Sequence, residues 1–405
     1  MRKRLLENIG PGPLIAAAFI GPGTVTLCTL VGVKFGLDLL WAIGVSILAA
    51  IALQGMAVRL GMITGQGIVP LLLKEPIPKG LKIFLIGLIL GAILVGNTAY
   101  EAGNISGAVL GLETQFGQIS FTLGNTSFNL FSVVVGCVAG ILLWLGKYKL
   151  IERTLIGLVA LMSITFLITA IATGPSLLEI GKGLFSFSRP QGSILSIIGL
   201  VGTTIVPYNL FLHSALVREK WKSKSQLPVA LQDMRIAIGL GGFISISIII
   251  TAAGVHLNTI ENAADLALGL EPLFGTYAKY FLSIGLFAAG ITSTLTAPLA
   301  AAYVTCDCFQ WKAHLSERRF RIIGLFILLF GVVISATGLK LILIIQFAQI
   351  INGLLLPIIA GILLWMINNS TLMGTYKNNR IQNSIGVGIV LITLFLSFRT
   401  LIFLF

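Results

Sequence analysis

The chain has 405 residues, 56% of them hydrophobic and only 10% charged, with a formal net charge of +13. A soluble domain carries about 25% charged residues, so this composition excludes a water-coated globule and predicts a membrane-embedded chain. The basic balance does not mark a nucleic-acid surface, because the Lys and Arg residues are not interleaved with aromatics on a soluble face.

Apolar stretches long enough to cross a hydrocarbon core of roughly 30 Å recur from end to end. In chain order they predict eleven spans, at 10–33, 38–63, 82–110, 128–146, 151–173, 191–217, 234–256, 278–304, 321–338, 341–366 and 383–404. The first opens a series and lacks a cleavage site, so it is not expected to be a removable signal peptide. No hydrophilic stretch is long enough for a soluble domain, and the expectation is one unit over 1–405. Sorting the cations by alternate loops places 20 on the N-terminal side and six on the other, with Arg59 inside a span. The rich side holds Arg2, Lys3, Arg4, Lys147, Lys149, Arg153, the run Arg218 to Lys224, and Arg318, Arg319 and Arg321. The poor side includes Glu261, Asp265 and Glu271. Positive charge marks the cytoplasmic face, so the sequence predicts an integral plasma-membrane protein with its N-terminus inside and, after eleven crossings, its C-terminus outside.

Two spans carry breakers near their middles. Span 1 contains Gly21-Pro22-Gly23-Thr24, and span 6 contains Val206-Pro207-Tyr208-Asn209. Proline removes a backbone donor and glycine tolerates unusual dihedrals. Each could be a simple kink, but together they open two successive groups of five spans. Matched interruptions point to a secondary transporter built from inverted repeats, here 1–173 and 191–366, with 383–404 as an extra helix. The expected architecture is all-α and polytopic, a leucine-transporter-type 5+5 inverted repeat with helices 1 and 6 broken. Thr203 lies just ahead of the second break. Gln349 and Asn352, three apart on one face of span 10, complete the polar lining or serve as interhelical glue.

Other polar groups fall within or beside spans. Glu101, three residues before Asn104, is a functional candidate because an acid at membrane depth is expensive. His213, one turn beyond Asn209, is a second coupling candidate or a packed, hydrogen-bonded side chain. Glu152 and Arg153 read as a snorkelling or paired helix start. Gly285, Ala288, Ala289, Gly290 and Ser293 read as close helix packing. Cys306 and Cys308 form a weak metal pair without His partners, and small hydrophobes are the plainer reading. Only three His residues occur (His213, His256, His314), far apart, which argues against a membrane enzyme. A channel would show repeated pore-lining rings, and a sensor would carry a soluble output domain.

Several stretches resemble the natural resistance-associated macrophage protein (Nramp) family of metal-ion transporters. They are LGMITGQG in span 2, VPYNLFLHSALV in span 6, LEPLFG and FAAGITSTLTAPLAAAYV around span 8, and FAQIINGLLLP with NNSTLMGTYKNN in and after span 10. The resemblance covers nearly the whole chain in order and implies the leucine-transporter-type fold. It departs at the metal site. The family's first broken helix reads Asp-Pro-Gly-Asn, where this chain has Gly21 and Thr24. Its sixth usually reads Met-Pro-His-Asn, where this chain has Val206 and Tyr208, while Pro207, Asn209 and His213 match. Gln349 matches a polar position near the family's ion.

With that carboxylate and thioether gone, the expectation is a substrate other than a transition metal. The break at Gly21, Pro22, Gly23 and Thr24, with no acid, leaves exposed backbone N–H groups at a helix end that would suit an α-carboxylate. Thr203, Val206, Pro207, Tyr208, Asn209, Gln349 and Asn352 would then shape the rest of the pocket. The favoured substrate is thus an amino acid, cationic among the options, or a similar small organic solute. The alternative is uptake of a divalent metal cation, Mg²⁺ or Mn²⁺. No cofactor, no resident metal and no nucleic-acid partner are expected. A coupling ion, H⁺ or Na⁺, would act through His213 and Glu101.

Overall fold

The computed structural model describes residues 19–124, 126–145, 149–255 and 263–404. The first half of expected span 1, Arg2, Lys3, Arg4, Lys147, His256 and Glu261 lie outside the described residues, as does the side chain of Glu152.

Every expected span is met by helix. These are α1 (Pro22–Phe35), α2 (Leu40–Thr64), then after a short α3 (Ile68–Lys74) the long α4 (Lys79–Phe116), α5 (Leu130–Leu145) and α6 (Lys149–Ala172). A short α7 (Leu177–Phe185) leads to span 6, which is split into α8 (Ile194–Thr204) and α9 (Pro207–Lys220). There follow α10 (Leu227–Ala253), α11 (Ala278–Cys308), α12 (Arg318–Ala336), α13 (Leu341–Ile367) and α14 (Arg380–Leu404). Among the described residues, eight helical segments are long and apolar enough to cross a membrane unaided, one of them α8 and α9 taken together. α6 qualifies as part of a bent pair with α7, and α1 and α5 are shorter apolar helices at the positions of spans 1 and 4. A hairpin of two strands, β1 (Ser120–Leu123) and β2 (Thr126–Asn129), joins α4 to α5.

Both expected breaks are real. Gly21 is extended (φ −77°, ψ 173°) and α1 starts at Pro22. In span 6, Ile205 (φ −115°, ψ 75°) and Val206 (φ −73°, ψ 121°) leave helical geometry before Pro207 starts α9. Pro207 has no N–H, so the Thr203 carbonyl four residues earlier lacks its helical donor.

The packing follows a rule of exchange. Spans 3 and 8 (α4, α11), 2 and 7 (α2, α10) and 4 and 9 (α5, α12) pack pairwise. Span 1 lies on span 7 (α1, α10) as span 6 lies on span 2 (α9, α2), and span 5 lies on span 8 (α6, α11) as span 10 lies on span 3 (α13, α4). Among these pairs, swapping each span for the one five places later returns the same contacts, the mark of a 5+5 repeat. Glycines set the closest approaches. A side chain on Gly107 of α4 would meet Pro22, and one on Gly290 of α11 would meet Ala108.

Candidate functional site

The two breaks meet through α13. A Cβ on Gly23 would fall onto the side-chain amide of Gln349, and a Cβ on Gly202 would fall onto the Gln349 carbonyl. Gln349 is therefore wedged between the first turn of α1 and the last turn of α8. A hydrogen bond of 2.8 Å between the hydroxyls of Thr24 and Thr203 ties the same two elements. Thr24 donates to the Phe19 carbonyl at 2.5 Å, so in the Thr24–Thr203 pair Thr203 is the donor.

Around this junction lie buried amides that have no hydrogen-bond partner for some of their atoms among the described residues. They are both side-chain atoms of Asn209, Oε1 of Gln349 and Nδ2 of Asn352. Buried polar atoms are rarely left this way. Gln349 is at the junction, Asn209 lies in the first turn of α9 past the second break, and Asn352 sits one turn beyond Gln349 with its Oδ1 toward Gly96 of α4. Tyr208, beside Asn209, packs edge-on against Tyr100 of α4 with ring centroids 5.4 Å apart. Val206 is fully buried and caps α9 with apolar surface.

The coupling candidates lie on different helices, His213 on α9 and Glu101 on α4. His213 is buried, and its Nδ1 lies 2.8 Å from Oε1 of Gln54 on α2, while Nε2 has no partner among the described residues. Gln54 escaped the sequence reading, although a lone amide in the apolar run of span 2 was a signal to look for. Glu101 turns toward α12, where its stem fills the space above Gly331. One carboxyl oxygen accepts from Asn104 at 3.4 Å and the other is unpartnered among the described residues. Cys306 and Cys308 are buried free thiols, and no group of three or more His, Cys, Asp or Glu side chains suited to a metal exists among the described residues.

A broken pair of helices packed through a third, inside a 5+5 helical repeat, is an architecture of polytopic membrane transporters. The model for the natural resistance-associated macrophage protein-like family matches residues 12–403. The chain belongs to that Nramp family and is an integral membrane transporter, not an enzyme. It is 28% identical to the metal transporter nramp1 homolog of Dictyostelium discoideum, over 94% of this chain and 72% of that protein. It is 26% identical to the divalent metal cation transporter MntH of Yersinia pestis, over 99% and 96%. Among solved structures, the manganese transporter of Eremococcus coleocola superposes with a TM-score of 0.77 at 21% identity, covering 98% of this chain and 86% of that one. A nucleobase-cation-symport-1 family transporter matches at 0.51 and 14% identity, over 96% and 91%. Both carry the expected fold.

The relatives named as metal transporters, the nramp1 homolog and MntH, overturn the amino-acid expectation. The geometry supplies a physical reason. The carboxylate receptor required free N–H groups at Gly21–Thr24. Pro22 has none, and those of Thr24 and Val25 both donate to the Gly21 carbonyl, at 3.1 and 3.2 Å. Gln349 covers Gly23.

Proposed function

We propose that the chain carries a divalent metal cation across the membrane by alternating access, with the ion held where the breaks of spans 1 and 6 meet α13. The observation that supports this most is the pair of orphaned amide oxygens, Oδ1 of Asn209 and Oε1 of Gln349, beside the two breaks. An amide oxygen is a neutral, hard donor. With no thioether at Val206 and no carboxylate at Gly21, the donor set favours Mg²⁺ or Mn²⁺ over softer ions. A missing carboxylate also leaves the ion's charge to be balanced by dipoles, so the ion keeps part of its water shell, which Mg²⁺ sheds reluctantly. The Thr203 carbonyl adds a further oxygen.

In this reading the two repeats are 1–173 and 191–366, with 383–404 outside them, and they rock about the shared site. The N-terminus is cytoplasmic and the C-terminus outside, in keeping with the loop charges. A proton is the coupling ion, taken up by His213 and Glu101.

The test is uptake of Mg²⁺ and Mn²⁺ into proteoliposomes. Saturable uptake that N209L and Q349L each abolish is the expected result. Uptake of neither metal, or uptake unchanged in both variants, overturns the proposal.

A further inference from the structure

Helix α7 lies between the two repeats and has no part in the site described above. The chain turns through 113° between Ile156–Ala172 of α6 and Leu177–Phe185. With α6 crossing the bilayer, α7 therefore runs close to the membrane plane. It is a self-contained helix. Ser176 accepts from the Glu179 amide and Glu179 accepts from the Ser176 amide, both at 3.1 Å, which forms a capping box.

Three strips run along it. The inner strip is packed against the corner between α1 and α2. A Cβ on Gly183 would come within 2.5 Å of the Leu37 carbonyl, and Leu184 covers Gly44. Just beyond the helix, Trp41 donates from its ring nitrogen to the Ser188 carbonyl at 2.7 Å. A polar strip carries Glu179 and Lys182, both exposed. Between them is an apolar strip with nothing over it: Leu177 is 87% exposed, Leu178 68% and Phe185 77%, and Phe187 follows at 61%.

We propose that this strip is a phospholipid-binding surface, with α7 seated at the boundary between headgroups and acyl chains on the membrane face opposite the N-terminal side. Two observations select lipid as the occupant. The strip continues the lipid-facing row of α6, where Leu161, Ile164, Ile168 and Ile171 are exposed at helical spacing. The neighbouring strip is charged, and Lys182, one turn from Leu178, is placed to extend its ammonium toward phosphate. The helix joins the end of the first repeat to α8, and its packed strip holds the α1–α2 corner. Lipid contact thus fixes the height of both half-helices that flank the substrate junction on that face.

The test reads lipid contact and not transport, so it is independent of the cargo. Cysteine is placed at Leu178, Phe185 or Glu179 in a chain carrying Cys137→Ser, the other three cysteines being buried. Each is labelled with a fluorophore and reconstituted in phosphatidylcholine vesicles containing a spin label near the headgroup. Quenching at 178 and 185 several-fold stronger than at 179 is expected. Equal, weak quenching at all three with ready quenching by aqueous iodide overturns the proposal, as does a label shielded from both because a second copy covers the strip. Hydroxyl-radical footprinting of the unmodified chain in lipid nanodiscs guards against a disturbed variant. Phe185 and Phe187 should be protected relative to Phe309, exposed beyond the end of α11. Oxidation at the rate of Phe309 overturns the proposal.

Discussion

The side-chain amide of Gln349 occupies the space that a side chain on Gly23 would need. One residue of span 10 thereby sets both the shape of the first break and the position of a free oxygen at the junction. Gly23→Ala should displace that amide, lowering stability by about 1–3 kcal/mol, the usual cost of overpacking. The double variant Gly23→Ala/Gln349→Ala should regain most of the stability but not the uptake. Thermal unfolding in detergent and proteoliposome flux separate the two effects.

The Thr24–Thr203 hydrogen bond links the breaks without a charge. Thr203→Val and Thr24→Val should each cost about 0.5–1.5 kcal/mol, in the range measured for interhelical hydrogen bonds in membranes. A double-mutant cycle should give a coupling of similar size. Strict additivity would show that the contact contributes nothing.

Gly21 has φ −77°, a value open to any residue. Gly21→Asp should therefore fold normally while adding a carboxylate to the junction, and should tighten Mn²⁺ binding about tenfold or more. Isothermal calorimetry is the check, and unchanged affinity would place the ion elsewhere.

Val206→Met would introduce a soft sulfur at the cap of α9. Cadmium should then compete with Mg²⁺ uptake at concentrations about tenfold lower than in the parent chain. Competition flux measures this directly. The same substitution to Leu should leave cadmium ineffective.

His213 meets only Gln54 among the hydrogen-bonding groups of the described residues. His213→Ala should remove the response of uptake to an imposed pH gradient while leaving metal binding within about threefold, since its hydrogen bond runs to Gln54 of α2 and not to Gln349, Thr24 or Thr203. Parallel flux and calorimetry distinguish loss of coupling from loss of the site.

The spans and both breaks were legible because hydrophobic runs and the Pro-Gly and Val-Pro interruptions are local signals. The hairpin at 120–129 and the tilt of α7 were not, because short polar-flanked segments between spans read simply as loops. The pairing of His213 with Gln54 joins spans 2 and 6, and no local pattern records such a contact. The substrate was misread for a related reason. Gly-Pro-Gly-Thr does offer backbone donors in isolation, but the fold turns that of Thr24 onto the Gly21 carbonyl and lays Gln349 over the third residue.

The exchange rule in the packing has a consequence for states not seen. The two halves lie in the membrane with opposite sense, so whatever opens the junction toward one face in one half has a counterpart in the other. In the proposed cycle, exchanging the internal geometries of the two repeats would give a second arrangement of the same helix pairs. Under the proposed alternating access, the difference between facing in and facing out would reduce to which half adopts which shape.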